Sequence, residues 1–209
     1  MDTKTILKII EELNKVYDVK LRHGKPFDIL IHGILSARTK DEISFPAQER
    51  LFKLANTPGK ILKLSTKQIE KAIYPVGFYR VKAKRIKEAC KFLVKNFKGN
   101  IPKDRESLMK IPGVGGKIAD IILLFAYSQD VVPVDVHVAV VSKRLGITKN
   151  NNPEKIREDL HKIIPKKFRA IVNQLFVQFG KEICQTRKPL CYKCPIINLC
   201  PYEPKNLKN

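Results

Sequence analysis

Residues 108–117 read Leu-Met-Lys-Ile-Pro-Gly-Val-Gly-Gly-Lys, and this stretch decides how the surrounding chain folds. Three glycines, Gly113, Gly115 and Gly116, separate a short helical pattern from a longer apolar one. Glycine adopts positive φ angles without steric cost and often ends a helix. The stretch therefore predicts two helices joined by a tight turn.

The turn has the features of a helix-hairpin-helix motif. Glycine alone is weak support, because it also ends helices for purely structural reasons, but Ile111, Pro112 and Lys117 frame the turn in the expected way. The free backbone amides at the start of the second helix point outward and favour an anion such as a phosphate. Such a contact positions a protein on nucleic acid without reading its bases.

Lys117 lies in the first turn of the second helix. The positive end of the helix dipole disfavours an ammonium there and favours the neutral amine, which is a nucleophile. Such an amine can attack C1′ of a deoxyribose and form a Schiff base. The alternative is an ordinary solvated lysine, and only the position after the hairpin argues against it.

Apolar residues recur at helical spacing along the chain, and the fold class predicted is all-α. Val131 to Val136 is the best candidate for a strand, although Pro133 interrupts it. The first predicted helix is marked by the apolar residues Ile6, Ile9, Ile10, Leu13 and Val16, with Asp2 and Thr3 as possible caps. Further helices are predicted at about 26–37, 41–55, 66–74, 81–97, 104–110, 116–127, 135–145, 153–163 and 167–182.

The composition favours a polyanionic partner. The 209 residues include 41 Lys and Arg against 20 Asp and Glu, a formal charge of +21. Nucleic acid is the first candidate, and a lysine-rich surface of a heat-adapted protein is the alternative. The N-terminus lacks the apolar core of a signal peptide, and no apolar run approaches the roughly 20 residues of a membrane span, so we expect a soluble, intracellular protein.

Residues 133–137 read Pro-Val-Asp-Val-His, immediately before a helical pattern. Asp135 is suited to capping that helix. It is equally suited to stabilising positive charge on a sugar as a glycosidic bond breaks, or to assisting proton transfer at Lys117, and one carboxylate can serve both purposes. For His137 we expect a phosphate contact or a scaffold role.

Cys184, Cys191, Cys194 and Cys200 form a C-x6-C-x2-C-x5-C array. In a reducing compartment such an array indicates metal ligands, whereas Cys90, on an apolar helical face, is expected to be a buried and inert thiol. Structural zinc and a 4Fe-4S cluster both accept four cysteines, and the spacing favours the cluster only modestly. The basic residues Lys188 and Lys193 lie within the array and predict a DNA-facing loop.

Taken together, the hairpin, the Pro-Val-Asp-Val-His segment and the cysteine array resemble the endonuclease III family of helix-hairpin-helix DNA glycosylases. Lesser matches lie at 35–42, 76–79 and 101–108. The resemblance implies a helical barrel domain at 20–131, with its hairpin at 108–127. It also implies an iron-sulfur domain at 1–19 and 132–209, with the cluster loop at 184–200 and double-stranded DNA bound in the cleft between the two domains.

The resemblance also implies an activity. Lys117 falls on the family's nucleophile and Asp135 on its catalytic aspartate, which implies a bifunctional glycosylase and abasic-site lyase that flips damaged bases, chiefly oxidised pyrimidines, out of the duplex. Two positions depart from the family. Arg38 replaces a glutamine that fills the space left by the flipped nucleotide, which puts the opposite-base preference in doubt. Phe78 replaces a leucine-like wedge; an aromatic ring there either stacks into DNA or belongs to the core.

Two other functions remain open from the sequence. A monofunctional glycosylase for another lesion or mismatch would release a base without cutting the strand. A non-catalytic DNA-binding or redox-sensing protein would use the hairpin and the cluster for affinity alone. We expect a monomer for an enzyme that wraps one DNA site.

Overall fold

The computed structural model describes residues 1–21 and 23–208. Across these residues the chain forms eleven α-helices and two short 3-10 helices, and no β-strand. The α-helices are α1 Thr3–Tyr17, α2 Pro26–Ser36, α3 Asp41–Leu54, α4 Pro58–Lys63, α5 Thr66–Ile73, α6 Tyr79–Phe97, α7 Arg105–Met109, α8 Gly116–Tyr127, α9 Val136–Arg144, α10 Pro153–Ile163 and α11 Lys166–Glu182. The all-α prediction is confirmed.

The helices belong to two compact units, Met1–Arg22 with Ser128–Asn209, and His23–Tyr127. In the continuous unit, α2 packs against α8, α3 against α5, and α4 against α6. Its core is aliphatic and is built from Leu30, Ile31, Leu35, Leu51, Ile61, Ile69, Ile73, Ile86, Leu93, Leu108, Ile122 and Leu123. Burial of these side chains is the main force that holds the α7–α8 hairpin in place.

In the discontinuous unit, α1 and α9 pack against α11, and α10 packs against α9. The apolar face predicted for the first helix is buried here through Ile6, Ile9, Ile10 and Leu13. These residues share one core with Phe176 and Phe179 of α11. The N-terminal helix is therefore tied to the C-terminal half of the chain by hydrophobic burial.

Val131 to Val136, the best strand candidate in the sequence, does not form a strand. Val131, Val132 and Val134 are buried, but the segment is an extended connection that leads into α9. Side chains satisfy its backbone: the Val132 N–H donates to His161 Nε2 at 3.0 Å, and Asn173 Nδ2 donates to the Pro133 carbonyl at 2.8 Å. Burial of a loop, without a neighbouring strand, explains the apolar pattern.

Helix α4 was not predicted. It has six residues, too few for a hydrophobic period, and its Pro58-Gly59 start reads as a turn. Thr57 caps it by accepting from the Lys60 N–H. No helix within the described residues is long and apolar enough to span a membrane.

Candidate active site and metal centre

The hairpin that joins α7 to α8 is held by two buried apolar side chains, Ile111 and Val114. The Val114 N–H donates to the Ile111 carbonyl at 3.0 Å and closes the turn. Gly113 has φ +87°, a conformation that L side chains rarely adopt. The positive φ expected of the glycines therefore applies to Gly113, whereas Gly115 and Gly116 have ordinary backbone angles.

The outer surface of the hairpin is open. A Cβ atom added at Gly115 would meet no atom within 4 Å. Among the residues that the structure describes, the N–H groups of Gly113 and Gly115 have no hydrogen-bond acceptor. Unpaired amides beside the first turn of a helix form a site that suits an anion.

Lys117 is the second residue of α8, and its side chain is exposed. Within residues 1–21 and 23–208, its Nζ atom makes no hydrogen bond or ion pair. The next residue, Ile118, packs against α2, where a Cβ on Gly33 would lie 2.9 Å from Ile118 Cγ2. The close approach of α2 and α8 therefore supports the backbone that carries Lys117.

Asp135 and His137 flank the start of α9, in the discontinuous unit. Asp135 is the N-cap, and its Oδ1 accepts from the Val138 N–H at 2.9 Å. In the described part of the chain, Oδ2 has no hydrogen-bond partner. Oδ1 therefore caps the helix, as the capping interpretation predicts, while Oδ2 stays available for chemistry.

His137 packs against α11. A Cβ on Gly180 would lie 2.8 Å from the Cβ atom of His137 and 3.2 Å from Nδ1. The Nδ1 atom is buried and has no hydrogen-bond partner among the described residues. The His137 side chain therefore packs against the backbone of α11 at Gly180.

The turns that carry Arg38 and Phe78 lie beside each other. A Cβ on Gly77 would lie 3.2 Å from both the Arg38 carbonyl and the Thr39 hydroxyl. Arg38 and Phe78 both have left-handed backbone, with φ +53° and +57°. Phe78 is 63% exposed, so it is not the core aromatic that the sequence allowed as an alternative.

The four cysteines of the array line one cavity of about 330 Å³, a volume that includes space open to solvent. Two short 3-10 helices, Cys191–Lys193 and Ile197–Leu199, fold the loop around this cavity. Leu145, Phe179, Ile183 and Ile196 supply its apolar wall. Lys188 and Lys193 are exposed, and Lys193 Nζ lies 5.4 Å from the centre of the Tyr192 ring.

The cavity fits a thiolate-ligated centre. Burial raises the pKa of the Cys194 thiol to about 11 and raises that of Cys184 as well. The raised pKa values reflect the free-energy cost of ionising a buried thiol. Because cysteines bind metals as thiolates, a cation at the centre would offset that cost. In the described ranges, no group of three or more His, Cys, Asp or Glu side chains is arranged to hold a metal ion.

Cys90 lies apart from this cavity. It is fully buried, and burial raises the pKa of its thiol to about 12, as expected for an inert thiol.

The sequence did not single out two basic residues. Arg144 donates to the backbone and sulfur of the cysteine loop, and Lys82 is buried beneath the turn that carries Arg38. Nothing in the sequence signals Arg144. Lys82 occupies a position in phase with the buried Ile86 and Leu93 of α6, so a lysine on an apolar face was a signal that could have been used.

The chain matches the model of the HhH-GPD superfamily base excision DNA repair proteins over residues 31–166. Endonuclease III of Thermotoga maritima is 36% identical to it over 197 residues, which are 94% of this chain and 92% of that protein. Endonuclease III of Escherichia coli K12 is 33% identical over 200 residues, 96% of this chain and 95% of the relative.

The fold agrees with solved structures. A trapped endonuclease III–DNA covalent intermediate matches with a TM-score of 0.88 at 33% identity, covering 96% of both chains. A thermostable thymine-DNA glycosylase matches with a TM-score of 0.86 at 24% identity, over 95% of this chain and 96% of that one, which shows a shared fold. By sequence and by fold, the chain belongs to the endonuclease III family of the HhH-GPD superfamily of base excision DNA repair proteins.

Proposed function

We propose that the protein is a bifunctional DNA glycosylase and abasic-site lyase of base excision repair. The observation that carries the proposal is the exposed amine of Lys117 in the first turn of α8, which has no partner among the described residues and directly follows a hairpin whose Gly113 and Gly115 amides are likewise unpaired there. The likeness to a trapped endonuclease III–DNA covalent intermediate supports it, because a nucleophile on the protein is what such an intermediate requires.

DNA binding follows from the hairpin and the charge. The amides of Gly113, Gly115 and Gly116 would hold a backbone phosphate, and the net charge of +21 would attract the duplex. In the other unit, the exposed Lys188 and Lys193 would add phosphate contacts. These are phosphate contacts, so they give affinity without sequence preference.

Lys117 would perform the chemistry in two stages. Its neutral amine forms a bond to C1′ of the flipped nucleotide as the bond from C1′ to the base breaks, and the base leaves with a proton. The sugar ring then opens to a Schiff base, with O4′ taking a proton. Loss of a proton from C2′ expels the 3′ phosphate, and water releases the enzyme.

Asp135 would stabilise the positive charge that develops on the sugar and assist the proton transfers around Lys117. Its Oδ2 is suited to this, because Oδ1 alone caps α9. His137 would hold α9 against α11 through its contact with Gly180, and we assign it no bond-breaking step.

Arg38 and Phe78 would act on the duplex itself. Phe78 is exposed and suited to stacking into the opened base step, and Arg38 would donate hydrogen bonds to the orphaned base. The expected substrates are oxidised pyrimidines, with an opposite-base preference shaped by Arg38. A flipped nucleotide is needed because C1′ is not reachable inside the stack.

Cys184, Cys191, Cys194 and Cys200 would hold a 4Fe-4S cluster. The four thiols line one cavity, and their spacing in the sequence modestly favours a cluster over zinc. When bound, the cluster would cross-link the 184–200 loop and contribute no bond-breaking chemistry. We accordingly assign a helical barrel to 20–131, which carries the hairpin, and a cluster domain to 1–19 and 132–209.

The cellular setting follows from the partner. A protein that repairs damaged or abasic double-stranded DNA would work in the cytoplasm and nucleoid. One molecule would occupy one lesion, so we expect a monomer, and size-exclusion chromatography with light scattering tests this.

Borohydride trapping tests the activity. The wild type is expected to form a covalent adduct on duplexes that carry thymine glycol or an abasic site. Lys117→Ala should abolish trapping. Lys67→Ala is the matched control, since Lys67 is also an exposed second residue of a helix, α5. Asp135→Asn keeps a capping side chain and removes the charge, so it separates folding from chemistry.

The outcomes separate the competing functions. Base release without strand cleavage by the wild type would indicate a monofunctional glycosylase. Unchanged binding of damaged DNA, with neither base release nor cleavage in any variant, would indicate a non-catalytic DNA-binding protein. A lesion panel scored separately for base release and cleavage distinguishes all three.

A further inference from the structure

Lys82 of α6 carries a buried ammonium. The residue is 4% exposed, and its Nζ atom donates three hydrogen bonds. The acceptors are the Leu35 carbonyl at 2.7 Å, the Ala37 carbonyl at 2.6 Å and the Thr39 hydroxyl at 3.0 Å. A lysine ammonium has three donors, so all of them are used.

All three acceptors lie in one turn, residues 35–39, which joins α2 to α3. The last carbonyls of a helix have no donor within the helix, and Lys82 supplies one to the end of α2. Arg38 is enclosed in this turn with φ +53°. A left-handed conformation is uncommon for residues other than glycine and persists only when its surroundings hold it.

The segment before α6 contacts the same turn from another direction. Gly77 approaches the Arg38 carbonyl and the Thr39 hydroxyl so closely that a Cβ would lie 3.2 Å from each. Phe78 follows Gly77, and its carbonyl accepts from the Lys82 N–H at 3.0 Å. Lys82 therefore joins the Arg38 turn to the Phe78 turn through one helical turn of α6.

The ammonium has no carboxylate partner in the described part of the chain. Burial, together with the nearby Arg85 guanidinium, lowers the pKa of Lys82 to about 8. A buried cation without a counter-charge is an expensive way to hold a turn if stability alone is required. A leucine at this position on the apolar face would have packed without that cost.

We propose that Lys82 is a positioning residue: it clamps the 35–39 turn to α6, so that Arg38 and Phe78 enter the duplex as one rigid unit. The inference rests on the proposed function, since it assigns a support to the two side chains expected to act on DNA. It separates duplex opening from chemistry, because the hydrogen bonds of the Lys82 ammonium within the described residues all go to residues 35–39, and none goes to the α7–α8 hairpin or to Lys117.

The test compares two substrates. Single-turnover base release from a lesion duplex needs strand insertion, whereas borohydride trapping on a single-stranded abasic oligonucleotide does not. Lys82→Met keeps the apolar stem and removes the three donors. We expect base release from the duplex to fall by about ten- to a hundredfold, as for a misplaced side chain. Trapping on the single strand should stay within about twofold of the wild type.

Three further variants complete the experiment. Lys87→Met is the matched control, because Lys87 also lies on α6 and donates to a helix end, the Leu64 carbonyl after α4. Lys87→Met should not lower base release from the duplex relative to trapping on the single strand. Thr39→Val removes one acceptor of the clamp and should give a smaller loss on the duplex alone. The double variant Lys82→Met/Thr39→Val should lose less than the two single losses combined.

Equal losses of Lys82→Met on both substrates, or no loss at all, would overturn the inference. If Lys82→Met does not fold, Thr39→Val tests the inference in its place. An unchanged rate of base release from the lesion duplex by Thr39→Val would then overturn the inference. Absence of trapping by the wild type on either substrate would instead refute the proposed function, so the two failures are distinguishable.

Discussion

The guanidinium of Arg144 donates from a single nitrogen, Nη1, to both the Sγ atom and the carbonyl oxygen of Cys184, at 3.3 Å and 2.9 Å. The same side chain also donates to the Gln185 and Thr186 carbonyls and lies 4.9 Å from the centre of the Tyr202 ring. Only the planar, multiple-donor fork of arginine can serve so many acceptors at once. Arg144 thus links the end of α9 to the start of the cysteine loop.

Arg144→Met should loosen that loop. Three carbonyls would lose a charged donor, and we expect the free energy of unfolding to fall by about 2 to 4 kcal/mol. The content of iron and sulfide per chain should fall with it. Arg144→Lys is the control: it keeps the charge without the fork and should give an intermediate loss. Full retention of iron and stability by Arg144→Met would contradict this role.

Gly33→Ala should displace α8 from α2. The added Cβ would lie 2.9 Å from Cγ2 of Ile118, a stiff β-branched side chain next to Lys117. We expect a loss of about 1 to 3 kcal/mol in denaturant unfolding, together with slower trapping on abasic DNA. Gly59→Ala is matched to it, because a Cβ there meets nothing within 4 Å. That control should be neutral or slightly stabilising; similar losses in both variants would refute the packing argument.

Phe78→Gly should separate stability from activity. The ring is mostly exposed, and glycine suits the left-handed backbone at this position, so the melting temperature should change little. Base release from a lesion duplex should fall because no wedge remains to occupy the opened step. Phe45 is also an exposed aromatic residue, but it lies on α3. Phe45→Ala serves as the control and should retain activity. A large drop in melting temperature for Phe78→Gly would argue for a packing role instead.

Lys82 should make stability depend on pH in a known direction. Its folded pKa of about 8 lies below the ordinary value of 10.5, so between these values the unfolded chain binds more protons. Stability contributed by this group therefore rises from about pH 8 to pH 10.5 and is constant below that window. Measured against Lys82→Met, which cannot titrate, the wild type should gain stability across the window. A flat difference would show that Lys82 keeps an ordinary pKa in the fold.

Much of the fold could be predicted because its elements follow local rules. The apolar period of α1, the Pro153 start of α10 and the glycine turn before α8 are all properties of short stretches. The helices predicted at 116–127 and 153–163 were confirmed at both ends. Val131 to Val136, the best strand candidate, is a buried connection, because an apolar pattern indicates burial and does not distinguish a strand from a buried loop.

The candidate site likewise contains residues that the sequence could indicate and residues that it could not. Lys117, Asp135 and the four cysteines could be proposed as site residues from their motifs together with the family resemblance, because a motif places a residue type at a defined point of a turn, helix or loop. The supports around them could not. Arg144 contacts residues 40 to 42 positions away, and Lys82 contacts acceptors 43 to 47 positions away. Hydrogen bonds and close glycine contacts across such separations depend on how helices pack, and only the tertiary structure specifies that packing.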